Sequence, residues 1–281
     1  MKNFQEECSE LAPLETFDPA AFLGDAAVPQ ELCNLVLSLA LIYNDCKDAI
    51  YSRILLGESR PQPPDRKDRA WGAWAGVDFH IFRLLVGLLH ELFDLIRKNQ
   101  DVIQHPFLAS VIKQLPPPRR EAWNAVMTVA SGATPADPLG KSLLLIRHKV
   151  SAHYDPKAVV GGYKHHFLSA EKADDRAFIS RGNNMKSTRF YFADAAATGY
   201  LRSVVGEKQL DEIMMTVADL LRSVNHALMG IVEAFIQRRG YAYRAVSERV
   251  TSDHSIQSTA YGLGGCRALG GMLATLSEMV T

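Results

Sequence analysis

Apolar residues recur at steps of three and four along most of this chain, a spacing that is typical of amphipathic helices. The repeat predicts a first long helix over Val28–Gly57. The buried face of this helix is expected to contain Leu32, Leu35, Leu39, Ile42, Cys46, Ile50 and Ile54. A second long helix is predicted over Arg66–Asn99, where the apolar stripe is wide enough to contact neighbours on two sides. The proline-rich segment 57–68 separates the two, because proline interrupts helical hydrogen bonding.

The same pattern continues beyond the second helix. It predicts further helices over Pro106–Leu115, Arg119–Ser131, Pro138–Tyr154, Ala193–Val205 and Gln209–Arg239. Pro156 is expected to end the helix that precedes it, because the residue before a proline avoids the helical conformation. Residues 156–192 are predicted to be less regular, with a turn at Gly161-Gly162 and a short extended segment at Arg189–Phe192.

These elements divide the chain into three parts. We expect an irregular N-terminal segment at 1–27, a helical domain at 28–240 and a loosely structured tail at 241–281. The tail is rich in Ser, Thr and Gly and has one short helix predicted near Leu269–Met279. Long amphipathic helices with short connections predict an all-α helical bundle.

Composition narrows the class of protein. The chain has 31 basic residues (Lys and Arg) and 31 acidic residues (Asp and Glu), so its net charge is zero. This balance argues against a protein that binds nucleic acid over a broadly basic surface, but it allows a local basic site. The four cysteines form no CxxC pair and are expected to be reduced thiols. The acidic N-terminus is unlike a signal peptide, and no apolar run is long enough to span a membrane. The sequence therefore predicts a cytoplasmic protein without a membrane partner.

Several common catalytic signatures are absent from the sequence. There is no GxxxxGK[ST], HExxH or GxSxG motif, which excludes the common nucleotide-hydrolase, metalloprotease and serine-hydrolase classes. The spacing of four histidines matches no standard zinc site; these are His148, His153, His165 and His166. We therefore predict neither a metal nor a cofactor.

A polar segment, LIRHKVSAHYD, ends the helix predicted over Pro138–Tyr154. Arg147 and His153 have five residues between them, and His148 follows the arginine directly. This arrangement resembles the HEPN family (higher eukaryotes and prokaryotes nucleotide-binding domains), whose catalytic members carry Arg, four to six residues and then His. The resemblance implies an all-α HEPN-like bundle with irregular N- and C-terminal extensions.

The resemblance also implies a function, that of a metal-independent endoribonuclease with a toxin or defence role. In that scheme Arg147 stabilises the charge of the phosphorane, and His153 exchanges the proton. Substrate contacts are expected from His148, Lys149, Ser151 and Tyr154. Expected partners are RNA, a second copy of the chain in a homodimer, and an antitoxin or other regulatory protein. On an ideal α-helix the catalytic pair would lie about 120° apart, which a dimer would compensate.

Alternatives remain at this point. Two other Arg and His pairs have a spacing in the same range, namely Arg83/His90 and Arg249/His254. The first pair lies in a strongly apolar helix, and we interpret it as structural. The second pair lies in the tail. The chain is alternatively a non-catalytic HEPN-like module that binds a nucleotide, RNA or a protein. In that case Arg147 is buried or paired with a carboxylate. A small-molecule enzyme is a third alternative. The aromatic residues of Arg189–Phe192 either stack bases or pack in the interior.

Overall fold

Helices form wherever the three-to-four-residue repeat is sustained, and the all-α prediction is confirmed. The computed structural model describes residues 12, 15–62, 68–132, 138–151, 155–169 and 177–245, so the predicted tail helix near Leu269–Met279 lies outside the described residues. The helices are α1 (Gln30–Glu58), α2 (Arg69–Lys98), α3 (Gln100–Ile103), α4 (Pro106–Gln114), α5 (Pro117–Gly132), α6 (Pro138–Ile146), α7 (Pro156–Phe167), α8 (Tyr191–Val205) and α9 (Glu207–Arg238). None of them combines the length and the apolar character needed to cross a bilayer.

Helix α2 is the central element of the bundle. Its wide stripe is fully buried at Phe82, Leu85, Val86, Leu89, Leu92, Phe93 and Ile96. Helix α1 packs against one side of this stripe, and α6 packs against another, as its width predicted. Asp68 starts the helix, because its carboxylate accepts a hydrogen bond from the Ala70 amide at 2.8 Å.

Helix α9 closes the bundle against α1, α4 and α5. Its core-facing residues repeat at helical spacing and are buried, including Val217, Val224, Leu228, Ile231 and Phe235. The prediction of a long final helix is confirmed. Together α1, α2, α5 and α9 supply most of one continuous apolar core, and α6 adds Leu143 and Ile146 to it.

The prediction of irregular structure over residues 156–192 is wrong for its first third, where α7 forms. Pro156 begins this helix, because a proline in the first turn lacks only an N–H that has no helical partner. Asp155 caps it, accepting hydrogen bonds from the amides of Lys157 at 2.9 Å and Ala158 at 3.3 Å. The prediction of an extended segment over Arg189–Phe192 is also wrong for its second half, because α8 begins at Tyr191.

Two glycines set the distance between α7 and α8. A Cβ added at Gly162 would lie 2.0 Å from the Ala196 carbonyl oxygen and 2.4 Å from the Tyr200 amide nitrogen. A Cβ added at Gly199 would lie 2.5 Å from the Gly162 carbonyl oxygen. The two backbones are therefore in direct contact, and the predicted turn at Gly161-Gly162 is instead part of a helix packed through its glycines.

The N-terminal segment is attached to the end of α9. Strand β1 (Glu15–Thr16) pairs antiparallel with β2 (Arg244–Ala245), and Glu15 lies opposite Ala245. Arg239 donates to the carbonyl oxygens of Ala21 at 3.1 Å and Leu23 at 2.6 Å, and it forms an ion pair with Asp25. The chain thus enters and leaves the helical bundle at one place.

Candidate functional site

The segment with the HEPN-like residues continues from α6 as a π turn. Residues Arg147–Ser151 form this wider turn, and Val150 is fully buried within it. The π turn is tied to α2, because Arg83 donates a hydrogen bond to the Val150 carbonyl and Ser151 Oγ donates to the Arg83 carbonyl at 3.0 Å. Short π turns inside or after α-helices are frequent at functional sites. Rotation angles for an ideal α-helix do not apply to this segment.

Arg147 is held by a carboxylate of α2. Its Nε donates to Glu91 Oε1 at 2.7 Å, and its Nη2 lies 2.5 Å from the same oxygen. Its Nη1 lies 3.4 Å from Nε2 of His148. The Arg147 side chain is 25% exposed and that of Glu91 is 53% exposed. The guanidinium is therefore fixed in orientation while part of it remains open to solvent.

Two clefts meet at Arg147. One has a volume of about 300 Å³ and is lined by His80, Arg83, Glu91 and Ser151 together with Arg147. The other has a volume of about 460 Å³ and is lined by His90, Asp94, Arg97 and His148 together with Arg147. Guanidinium and imidazole groups are the side chains suited to binding and protonating a phosphodiester. Arg147 is the residue common to both clefts.

His90 brings a second imidazole to this site. It lies half-buried on α2, and its ring meets the His148 ring edge to face with 6.3 Å between centroids. Burial lowers the pKa of His90; Asp94 and Glu91 oppose the shift, whereas the charges of Arg147 and Arg97 reinforce it. A neutral imidazole at neutral pH is able to accept a proton.

The remaining residues predicted to contact substrate have different surroundings. His148 is exposed at the second cleft. Lys149 Nζ lies 2.5 Å from a carboxylate oxygen of Asp155, and this ion pair raises the pKa of the lysine. Ser151 lines the first cleft but donates its hydroxyl hydrogen to the backbone of α2. His153 and Tyr154 lie outside the described residues.

Three residues at the site were missed or set aside by sequence reasoning. The interpretation of the Arg83/His90 pair as structural fits Arg83, which is buried and bonded to the π turn. Both residues nevertheless line clefts at Arg147, Arg83 the first and His90 the second. The sequence alone did not indicate that Glu91 belongs to the site, although its carboxylate binds the Arg147 guanidinium. A signal was present: polar residues recur at helical spacing along the apolar stripe of α2, at His80, Arg83, His90, Glu91 and Asp94.

The histidines considered as a metal site are separated in the fold. His148 lies in the π turn, whereas His165 and His166 lie in the last turn of α7. Within the described ranges, no three His, Cys, Asp or Glu side chains are grouped so that they could hold a metal ion.

The shifted pKa of His90 predicts how stability depends on pH. The unfolded chain takes up this proton at a higher pH than the folded chain, so the stabilising contribution of neutral His90 is present above pH 6.5. It is lost as the pH falls through the lowered pKa. We expect the free energy of unfolding, measured by urea denaturation at pH 7.5 and pH 5, to decrease less in His90→Gln than in the parent. His226→Gln, at an exposed position on α9, is the control. An equal decrease in all three proteins would contradict this assignment.

The resemblance to HEPN proteins depends on the ten or so residues around Arg147. No wider similarity supports it. The chain matches no protein-family model, no curated protein and no solved structure.

Proposed function

We propose that this protein is a metal-independent endoribonuclease of HEPN type, with a toxin or defence role. The observation that carries the proposal is the position of Arg147, whose oriented and partly exposed guanidinium lies where two clefts meet. His90 and His148 lie in the second of these clefts. Cleavage of RNA needs a cation beside the phosphate and groups that exchange protons, and these residue types supply both.

The proposed reaction is an internal transfer at phosphorus. The 2′-hydroxyl loses its proton to a neutral imidazole and attacks the adjacent phosphorus, forming the O2′–P bond. The P–O5′ bond breaks, and O5′ takes a proton from a protonated imidazole. The products are a 2′,3′-cyclic phosphate and a free 5′-hydroxyl. Arg147 stabilises the charge on the phosphorane oxygens, and His153 is the proposed acid–base residue.

A second function is favoured by one specific contact. The Arg147–Glu91 ion pair is the arrangement expected of a non-catalytic binding module, in which the arginine has a structural role. The two functions differ in what they require of the substrate. A binding module needs no 2′-hydroxyl beside the contacted phosphate and leaves the strand intact.

The first experiment compares two substrates that differ at one atom. The full chain is incubated in EDTA with a mixed RNA pool to map a cleavage site, and then with a short RNA containing that site. The matched control is the same RNA with a single 2′-deoxy nucleotide on the 5′ side of the scissile phosphate. We expect the RNA to be cut to a 2′,3′-cyclic phosphate end and the deoxy control to remain intact.

The other outcomes are equally informative. Cutting of both substrates at the mapped bond would contradict the proposed chemistry, because attack on that phosphate by a 2′-hydroxyl is impossible in the control. An intact RNA pool at high protein concentration would contradict the nuclease function. Retention of the RNA without cutting would then support the binding module.

A further inference from the structure

A cleft lined by aromatic residues, and not by Arg147, lies where the start of α2 meets α7 and α8. We call it the aromatic cleft. It has a volume of about 240 Å³, and its aromatic lining consists of Trp71, Phe79, Phe167, Phe178, Tyr191 and Phe192. Ligand sites usually occupy about 300–1,000 Å³ and are lined by apolar and aromatic groups with a few polar ones. The aromatic cleft, at about 240 Å³, is somewhat smaller than this range, which suits one small planar ring.

The floor of the aromatic cleft is formed by small residues of α2, namely Gly72, Ala75 and Gly76. A Cβ added at Gly72 would lie 2.6 Å from a ring carbon of Tyr191. A Cβ added at Gly76 would lie 2.0 Å from Nη2 of Arg189. These glycines let Tyr191 and the Arg189 guanidinium lie directly on the helix backbone.

Polar groups occur at defined places around the aromatic walls. Asp194 lines the cleft and accepts a hydrogen bond from Arg189 through Oδ2 at 2.8 Å. The Asp194 side chain is 29% exposed, so its carboxylate can also be reached by an N–H donor in the cleft. Outside the wall, the Arg60 guanidinium stacks on Trp71 at 5.1 Å from the ring centroid, which places a positive charge beside the cleft.

We propose that the aromatic cleft binds the base of a nucleotide. The ring stacks on the aromatic walls, an amino group of the base donates to Asp194, and the phosphate is directed towards Arg60. Stacking on aromatic side chains is the general means by which proteins hold unpaired bases. The proposal does not depend on the cleavage chemistry at Arg147, because binding alone tests it. The nucleotide is either free or part of a single strand.

The test measures binding to the full chain by isothermal titration calorimetry. The probes are AMP, ribose 5-phosphate and a short single-stranded oligonucleotide of 2′-deoxyadenosine, which resists cleavage by a 2′-hydroxyl. Ribose 5-phosphate is the matched ligand control, because it has the sugar and phosphate of AMP without the base. We expect AMP to bind and ribose 5-phosphate to bind about tenfold more weakly, because it lacks the base that stacks on the aromatic walls.

Two pairs of variants locate the binding site. Phe192→Ala removes a wall, and the control Tyr51→Ala removes an exposed ring of α1 that does not line the cleft. Ala75→Phe fills the cleft from α2, and its control Val77→Phe adds the same ring at an exposed position of that helix. We expect the cleft variants to raise the Kd for AMP about tenfold and the controls to leave it unchanged. Circular dichroism checks the folding of each variant.

The relative affinities of the three probes show whether the cleft binds a base and whether that base is free or part of a strand. Tighter binding of the oligonucleotide than of AMP, lost in the same variants, supports a nucleotide within a strand. Binding of AMP without the oligonucleotide supports a free nucleotide. Equal binding of AMP and ribose 5-phosphate, no binding of either probe, or an unchanged Kd in folded Ala75→Phe would overturn the proposal. None of these results depends on whether the protein cuts RNA.

Discussion

Replacing Arg147 by alanine is expected to lower the rate of RNA cleavage in EDTA by about 10²–10³, the usual loss when a preorganised donor to a developing oxyanion is removed. The guanidinium is oriented by Glu91, so in the proposed reaction it would stabilise the phosphorane without being reorganised. His153→Ala is expected to have an effect of similar size, because it removes the proposed acid–base group. Initial rates on the mapped RNA substrate measure both losses.

Controls for this prediction use residues with the same chemistry elsewhere. Arg222→Ala removes an exposed arginine that pairs with Asp219 on α9 at 2.8 Å, and it should leave the cleavage rate unchanged. Glu91→Gln keeps the size of the side chain and weakens the orientation of Arg147, so we expect an intermediate loss of rate. Folded Arg147→Ala protein that cuts as fast as the parent would exclude a catalytic role for this arginine.

Gly162→Ala is expected to lower the free energy of unfolding by about 1–3 kcal/mol, the usual cost of overpacking. The added methyl carbon would lie within 2.4 Å of two backbone atoms of α8, and backbone atoms cannot move aside as the end of a flexible side chain does. Urea denaturation followed by circular dichroism measures the change.

The neighbouring glycine in α7 is a matched control. A Cβ added at Gly161 meets no atom within 4 Å, so Gly161→Ala should stabilise the protein by about 0.5–1 kcal/mol through the higher helix propensity of alanine. Two adjacent substitutions of the same kind therefore have opposite expected signs. Equal effects of the two would show that propensity, and not the contact with α8, decides stability here.

Much of the bundle could be predicted because its helices repeat one pattern over many residues. The wide stripe of α2 predicted a central helix, and the stripe of α9 predicted a long final one. Helix α7 was missed for two local reasons. A proline disfavours the helical conformation in the residue before it, but Pro156 is tolerated in the first turn of α7, and Asp155 supplies the cap. Gly161 and Gly162 lower helix propensity, and the benefit of Gly162 depends on α8, far away in sequence.

At the candidate site, features set by neighbouring residues in the sequence could be predicted, and features set by the packing of helices could not. The position of Arg147 at a helix end could be predicted from the residues around it. Its ion pair with Glu91 could not, because the two residues are far apart in sequence and meet only when α6 packs on α2. The lowered pKa of His90 could not be predicted either, because it results from burial of the side chain in the folded protein. His153 stays a prediction from the motif.

The pairing of β1 with β2 also has a mechanical consequence. Glu15 and Ala245 form the outer end of a two-stranded antiparallel ladder, and tension applied between these two residues would open that ladder one hydrogen bond at a time. The contacts of Arg239 with residues 21–25 would carry the load next. Force would reach the helices only after the β1–β2 ladder and the Arg239 contacts had both broken. These two sets of contacts would therefore protect the bundle against tension applied to the chain on either side of it.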